Sequence, residues 1–101
     1  MLAEFAIIPI GVGSSIGDQL AIAMRIIDES GMPYKANPMG TVVEGEWEDI
    51  MALIKRCRDE IMKKEERVLI SITIDDRKGK PNRIEEKVAS IEKRLGRTLN
   101  K

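Results

Sequence analysis

Two hydrophobic periods alternate along this chain. Leu2-Ala3-Glu4-Phe5-Ala6-Ile7-Ile8 carries apolar residues on both parities, the mark of a strand covered on both faces, and Pro9 ends it. Beyond a glycine- and serine-rich loop, Ile16, Leu20, Ala23, Met24 and Ile27 recur at helical spacing, widened by Ile22 and Ile26. The pattern predicts a helix from about Ile16 to Ser30, capped by Ser14 or Ser15, with Asp18 in the first turn and Gly31 as terminator. Pro33 to Asn37 reads as a short second strand and Thr41-Val42-Val43 as a third. In the turn between them Pro38 fixes one φ and Gly40 permits a positive one.

Trp47, Ile50, Met51, Ile54, Cys57 and Ile61 form the stripe of a second helix, about Glu46 to Lys64, with Lys63 and Lys64 in its last turn. Strict alternation then returns over Arg67–Ile74: Val68, Ile70, Ile72 and Ile74 one way, Leu69, Ser71 and Thr73 the other. Asp75-Asp76-Arg77 begins a charged turn held by local ion pairs. A last helix follows over about residues 82–96, with Asn82 and Glu85 at capping-box positions. Ile84, Val88, Ile91 and Leu95 give it a narrow apolar seam, suited to one partner element.

The order is strand–helix–strand–strand–helix–strand, then a helix. It predicts one domain over residues 1–101, an α+β ferredoxin-like βαββαβ sandwich with an antiparallel four-stranded sheet and an additional C-terminal helix. Two helices cover one sheet face. The other face is bare in a monomer, yet the first strand is apolar on both sides and the last offers Leu, Ser and Thr there. Such a face predicts a homo-oligomer.

The stretch from Asn37 to Trp47 holds the candidate chemistry. A turn and a β-branched strand run into Glu44, Gly45, Glu46, Trp47 and Glu48, three carboxylates beside the single tryptophan. An aromatic face next to negative charge suits a flat or cationic organic ligand. A strand end followed by a helix cap accounts for the same residues. Glu44, a carboxylate following two valines, needs either a cross-strand partner such as Lys35 or a ligand. Cys57 lies on an apolar stripe and reads as core.

Composition narrows the function classes. The 101 residues carry 17 basic and 17 acidic side chains, which disfavours a phosphate-backbone binder, so no nucleic-acid partner is expected. There is no histidine, which removes the commonest general base and metal ligand, and with one cysteine no metal site is expected. The single cysteine also excludes an internal disulfide. No apolar run is long enough for a membrane span and no signal peptide is evident, so the expectation is a cytoplasmic protein without membrane contact. High Glu, Lys, Arg and Ile with Gln19 as the one glutamine is compatible with a thermophile.

Five short segments in register carry a resemblance. Pro9-Ile10-Gly11-Val12-Gly13 with Ser14-Ser15, Gly31-Met32-Pro33-Tyr34, Pro38-Met39-Gly40-Thr41 with Glu44-Gly45, Ile74-Asp75-Asp76-Arg77, and Glu86-Lys87-Val88 with Ser90-Ile91 span nearly the whole chain. Their order closely resembles the YkoF-like thiamine-binding family. The resemblance implies ferredoxin-like subunits packed sheet to sheet into dimers and commonly into tetramers. It further implies binding of thiamine or its hydroxymethylpyrimidine moiety without catalysis, thiamine being ligand rather than cofactor.

The chemistry fits in outline. Thiamine joins a cationic thiazolium to a flat aminopyrimidine. Glu44 or Glu46 can accept from the amine or balance the cation, and the Asn37 amide can donate and accept. Met39 and Trp47 can face the ring. Ser14, Ser15 and nearby backbone amides can hold a hydroxyl or an anion, and Gly40 and Thr41 belong to the same turn. With no basic cluster in the central stretch, unphosphorylated thiamine is expected.

Rival readings share the fold. An acylphosphatase-like enzyme needs an arginine in its phosphate loop, and Pro9 to Gly17 has none. An RNA-recognition module needs aromatics on its central strands. Gly11, Gly13 and Gly17 are spaced GxGxxxG, outside the dinucleotide fingerprint. A regulatory or sensor module for a different small metabolite is the serious alternative.

Overall fold

The structure, a computed structural model, describes residues 1–11, 16–79 and 83–101. Its elements are β1 (Leu2–Pro9), α1 (Ile16–Glu29), β2 (Tyr34–Asn37), β3 (Gly40–Glu44), α2 (Trp47–Met62), β4 (Val68–Asp75) and α3 (Ile84–Leu95). The four strands form one sheet in the order β2-β3-β1-β4, antiparallel throughout. This is the ferredoxin-like α+β sandwich with an extra C-terminal helix.

Register decides what each sheet face carries. Phe5 lies opposite Ile72 and Thr41, and Ala3 opposite Ile74 and Val43. These odd-numbered β1 residues turn toward the helices, and Ala3, Phe5 and Ile7 are buried there with Val43. The helices close the core with Ala23, Ile26 and Ile27 from α1 and Ile50, Leu53, Ile54, Cys57 and Ile61 from α2. Each buried aliphatic side chain of this kind contributes about 1.5–3 kcal/mol through removal from water.

Two stripe expectations need correction. Trp47 is 51% exposed, because it is the first residue of α2 and lies off the core-facing row, on which Leu53 sits instead. In α1 the buried row includes Gln19, whereas Leu20 is 41% exposed.

Boundaries shift by one or two residues. β2 begins at Tyr34 rather than Pro33, and β3 runs from Gly40 to Glu44. α2 ends at Met62, so Lys63 is its C-cap and Lys64 lies beyond it. α3 takes Arg83 as N-cap, without a side-chain cap bond, which moves the capping register one residue past the Asn82–Glu85 box. Asn82, like Ser14 and Ser15, lies outside the described residues.

Gly31 and Gly96 take φ of 77° and 73°, as residues that terminate helices do. Gly40 does not take a positive φ. It is small for another reason: a Cβ there would lie 3.1 Å from the carbonyl oxygen of Phe5 on the paired strand.

The sheet face away from the core stays open. Ile8 and Leu69, opposite each other across β1 and β4, are 40% and 59% exposed. α3 touches the body of the molecule mainly at β3 and buries none of its residues. Lys87 of α3 makes an ion pair with Asp75 at the end of β4, which ties the start of the Asp75-Asp76-Arg77 turn to the last helix.

Candidate functional site

A cavity of about 410 Å³ opens between α1, the second half of β1 and the β2–β3 turn. It exists because β3 is short. The β1–β3 ladder ends at Phe5–Thr41, while β1 continues with β4 as far as Pro9. Beyond Thr41 the chain turns away through Met39 and Pro38, and α1 spans the space left behind. Leu20 and Met24 from α1 face the opening, which explains why part of an apolar helical stripe is not core.

Polar groups in this cavity are few, and one of them is main chain. Successive residues of a strand direct their N–H and C=O alternately to the two neighbouring strands. The Met1 carbonyl accepts from Gly45 N at 3.1 Å on the β3 side, and Ile10 N donates to the Arg67 carbonyl at 2.9 Å on the β4 side. Odd-numbered residues of β1 therefore face β3. Ile7 is odd and lies past the last β3 pair, so its N–H and C=O face the cavity rather than a strand. The Thr41 hydroxyl, 7% exposed, donates to the Met24 sulfur at 3.5 Å. The Asn37 amide stands at the rim, and Met39 is 87% exposed at the tip of the turn. Among the described residues no acidic or basic side chain lines the cavity.

Of the residues singled out in the sequence, Asn37, Met39, Gly40 and Thr41 come together here. Glu44 and Trp47 do not. Glu44 lies opposite Leu2, at the other end of the β1–β3 ladder, and Trp47 opens α2 beyond it. The expected Glu44–Lys35 cross-strand pair is absent: the turn sets Lys35 opposite Val42. Sequence reasoning missed Ile7, Leu20 and Met24 as cavity residues. The available signal was that α1 carries more apolar positions than two sheet strands can cover.

The site residues hold no cluster for metal chemistry. Among the described residues no group of three or more His, Cys, Asp or Glu side chains is placed to bind a metal ion. Cys57 is fully buried, and burial pushes its thiol up to about 11, which keeps it protonated and unreactive. Among the described residues no helix is long and apolar enough to cross a membrane.

Comparison with known proteins places this architecture. The sequence model described as "Thiamine-binding protein" matches residues 3–92. The chain belongs to the thiamine-binding protein family. It is thereby a member of a family of small-molecule binding proteins rather than of enzymes. A UPF0045 protein of Mycobacterium tuberculosis is 34% identical over 96 residues, 94% of each chain. A solved Methanocaldococcus jannaschii protein is 34% identical, with a TM-score of 0.82 over 89% of this chain and 93% of that one. A solved Thermotoga maritima protein called a "putative thiamine biosynthesis/salvage protein" is 28% identical, with a TM-score of 0.80 over 89% of this chain and 96% of its own.

Proposed function

We propose that the protein binds thiamine, or its hydroxymethylpyrimidine moiety, in the cavity between α1 and the β2–β3 turn, and that it does so without catalysis. The observation that carries this reading is the main-chain edge of Ile7 in an otherwise apolar slot. An aminopyrimidine offers an amine donor next to a ring-nitrogen acceptor. That edge complements the C=O and N–H of one strand residue. Thr41 and Asn37 supply further polar contacts, and the Met24 and Met39 thioethers suit the faces of a flat ring. The family membership and the description of the Thermotoga maritima relative support the same ligand class.

With no charged side chain among its described lining residues, the cavity favours the neutral pyrimidine end and leaves the cationic thiazolium toward solvent. Burying a charge without a partner costs several kcal/mol. A diphosphate finds no Lys or Arg to pair with among the described lining residues, so it gains nothing over unphosphorylated thiamine. Ser14 and Ser15, which lie outside the described residues, stay in the proposed ligand set on the family resemblance alone. Glu44 and Trp47 reach the ligand only if a second subunit brings their end of the sheet to this cavity.

The open face bearing Ile8 and Leu69, with Ile91 and Leu95 exposed on α3, supports a homo-oligomer packed sheet to sheet, with the α3 seam docked on a neighbour.

Isothermal titration calorimetry with thiamine, thiamine diphosphate and hydroxymethylpyrimidine tests the ligand. Saturable binding of thiamine and hydroxymethylpyrimidine, weaker for the diphosphate, is the expected outcome. Absence of heat with all three at protein concentrations near ~100 µM would sink the reading, since micromolar affinity is then detectable.

A further inference from the structure

A second concavity lies between the helices and shares no lining residue with the cavity described above. It is a groove of about 480 Å³, walled by α1 on one side and by the C-terminal half of α2 on the other. Its charges are unevenly matched. Asp59 is held by Lys55 at 2.6 Å and Arg58 at 2.8 Å, and Glu60 by Lys63 at 2.7 Å. Arg25, Arg56 and Lys64 also line the groove, and none of them has an ion-pair partner among the described residues.

The two arginines stand level with each other. β1 and β3 run antiparallel, so the helices that follow them do too. Cys57 Sγ donates to the Ala23 carbonyl at 3.7 Å, which sets those two positions side by side. Two residues beyond Ala23 is Arg25, and one before Cys57 is Arg56, so the two arginines spring from nearly the same level on opposite walls of the groove. Lys64 lies eight residues after Arg56, just past the C-cap of α2, at the far end of the groove. Ile22 and Ile26 line the α1 side between these charges.

We propose that this groove is a binding site for a phosphate-bearing small molecule. Two guanidiniums without carboxylate partners present forked donors to the oxygens of one phosphoryl group. A dianion between them removes the repulsion of like charges facing each other across the groove. Ile22 and Ile26 take the apolar body of the ligand, and Lys64 receives a second anionic group where there is one. The chain's 17 basic and 17 acidic side chains balance, which disfavours an extended phosphate backbone as the ligand.

The test uses the full chain without thiamine and inorganic pyrophosphate as the probe, followed by amide chemical shifts in about 150 mM salt, where exposed charges are screened beyond ~8 Å. Pyrophosphate is expected to shift the amides of residues 22–26 and 56–64 saturably. The double variant Arg25→Gln/Arg56→Gln is expected to bind at least ~10-fold more weakly, since charge-assisted bonds to phosphate are the strong ones. Its melting temperature is expected to stay unchanged. Lys93→Gln, on α3 and outside the groove, is expected to bind as the parent does. No saturable shift at about 10 mM pyrophosphate, weaker than any specific site of this kind, overturns the proposal. Equal binding by the double variant does so as well. Salt-dependent self-association lost in the double variant would give the groove to a second copy and also overturn it. None of these results bears on the thiamine cavity.

Discussion

Thr41 Oγ1 lies 3.5 Å from the sulfur of Met24, joining β3 to α1 at the wall of the cavity. A thioether is a weak acceptor, so the hydroxyl loses little by turning to a ligand. Thr41→Val is expected to change stability by less than about 1 kcal/mol in urea denaturation. Affinity for hydroxymethylpyrimidine is expected to fall about three- to tenfold by calorimetry. Unaltered affinity would remove the hydroxyl from the site.

Leu20 and Glu44 separate two possible locations of the ligand. Leu20 faces the cavity and is partly exposed, so Leu20→Lys is tolerated by the fold within about 0.5 kcal/mol. It places a cation at the mouth, and thiamine binding is expected to weaken more than ~10-fold. Glu44→Gln, at the far end of β3, is expected to leave binding as it was. The reverse ranking in the same titrations would move the ligand to the Glu44–Trp47 end of the sheet.

Leu69 is the most exposed large apolar residue of the open sheet face. Leu69→Lys is expected to convert the proposed homo-oligomer to monomers, seen as a fall in mass by light scattering, while far-ultraviolet dichroism stays unchanged. An oligomer that survives the substitution would show that this face is not the interface.

Cys57 titrates at about 11 in the folded chain against 9.0 when exposed. Between those values the unfolded chain has lost a proton that the folded chain keeps, so stability falls as pH rises from 9 toward 11. The loss is on the order of 2 kcal/mol across the window. Cys57→Ala is expected to be less stable at neutral pH but to show a shallower decline above pH 9, measured by denaturant midpoints. Parallel declines in the two proteins would contradict this.

Glu92 gathers the C-terminal tail: its carboxylate accepts from Leu99 N at 2.6 Å and from Lys101 Nζ at 2.8 Å. The Lys101 bond, then the Leu99 amide, holds its pKa below the ordinary 4.5. The clasp is therefore present above 4.5 and is lost as pH falls through the lowered folded value. Glu92→Gln is expected to speed amide exchange at residues 97–101 and in the last turn of α3 at neutral pH. The core strands should exchange as before.

The fold was legible because each element announces itself locally. The alternation at Val68–Ile74 and the stripe from Ile50 to Ile61 need no tertiary information. What stayed hidden depends on register. The sequence offers Lys35 as one cross-strand partner for Glu44, with a ligand as the alternative, but the two-residue turn at Pro38-Met39 puts Lys35 opposite Val42. Gly40 reads as a turn glycine, whereas its constraint is the Phe5 carbonyl on the paired strand. Residues near Pro38 were marked as site candidates through their turn chemistry and their resemblance to a family. Ile7 carried no such mark, because its contribution is the part of the residue that the letter code does not record.

The Ile7 edge bears on how this family can diverge. A contact made by the main chain is not erased by replacing a side chain, provided the strand keeps its register. The solved relatives at 28% and 34% identity keep the backbone closely. Proteins that have exchanged most of their side chains can thus offer the same pair of hydrogen-bonding groups at this point. Differences in what they bind would then arise from the apolar walls around it, such as Leu20 and Met24, and a survey of ligand preference should vary those positions first.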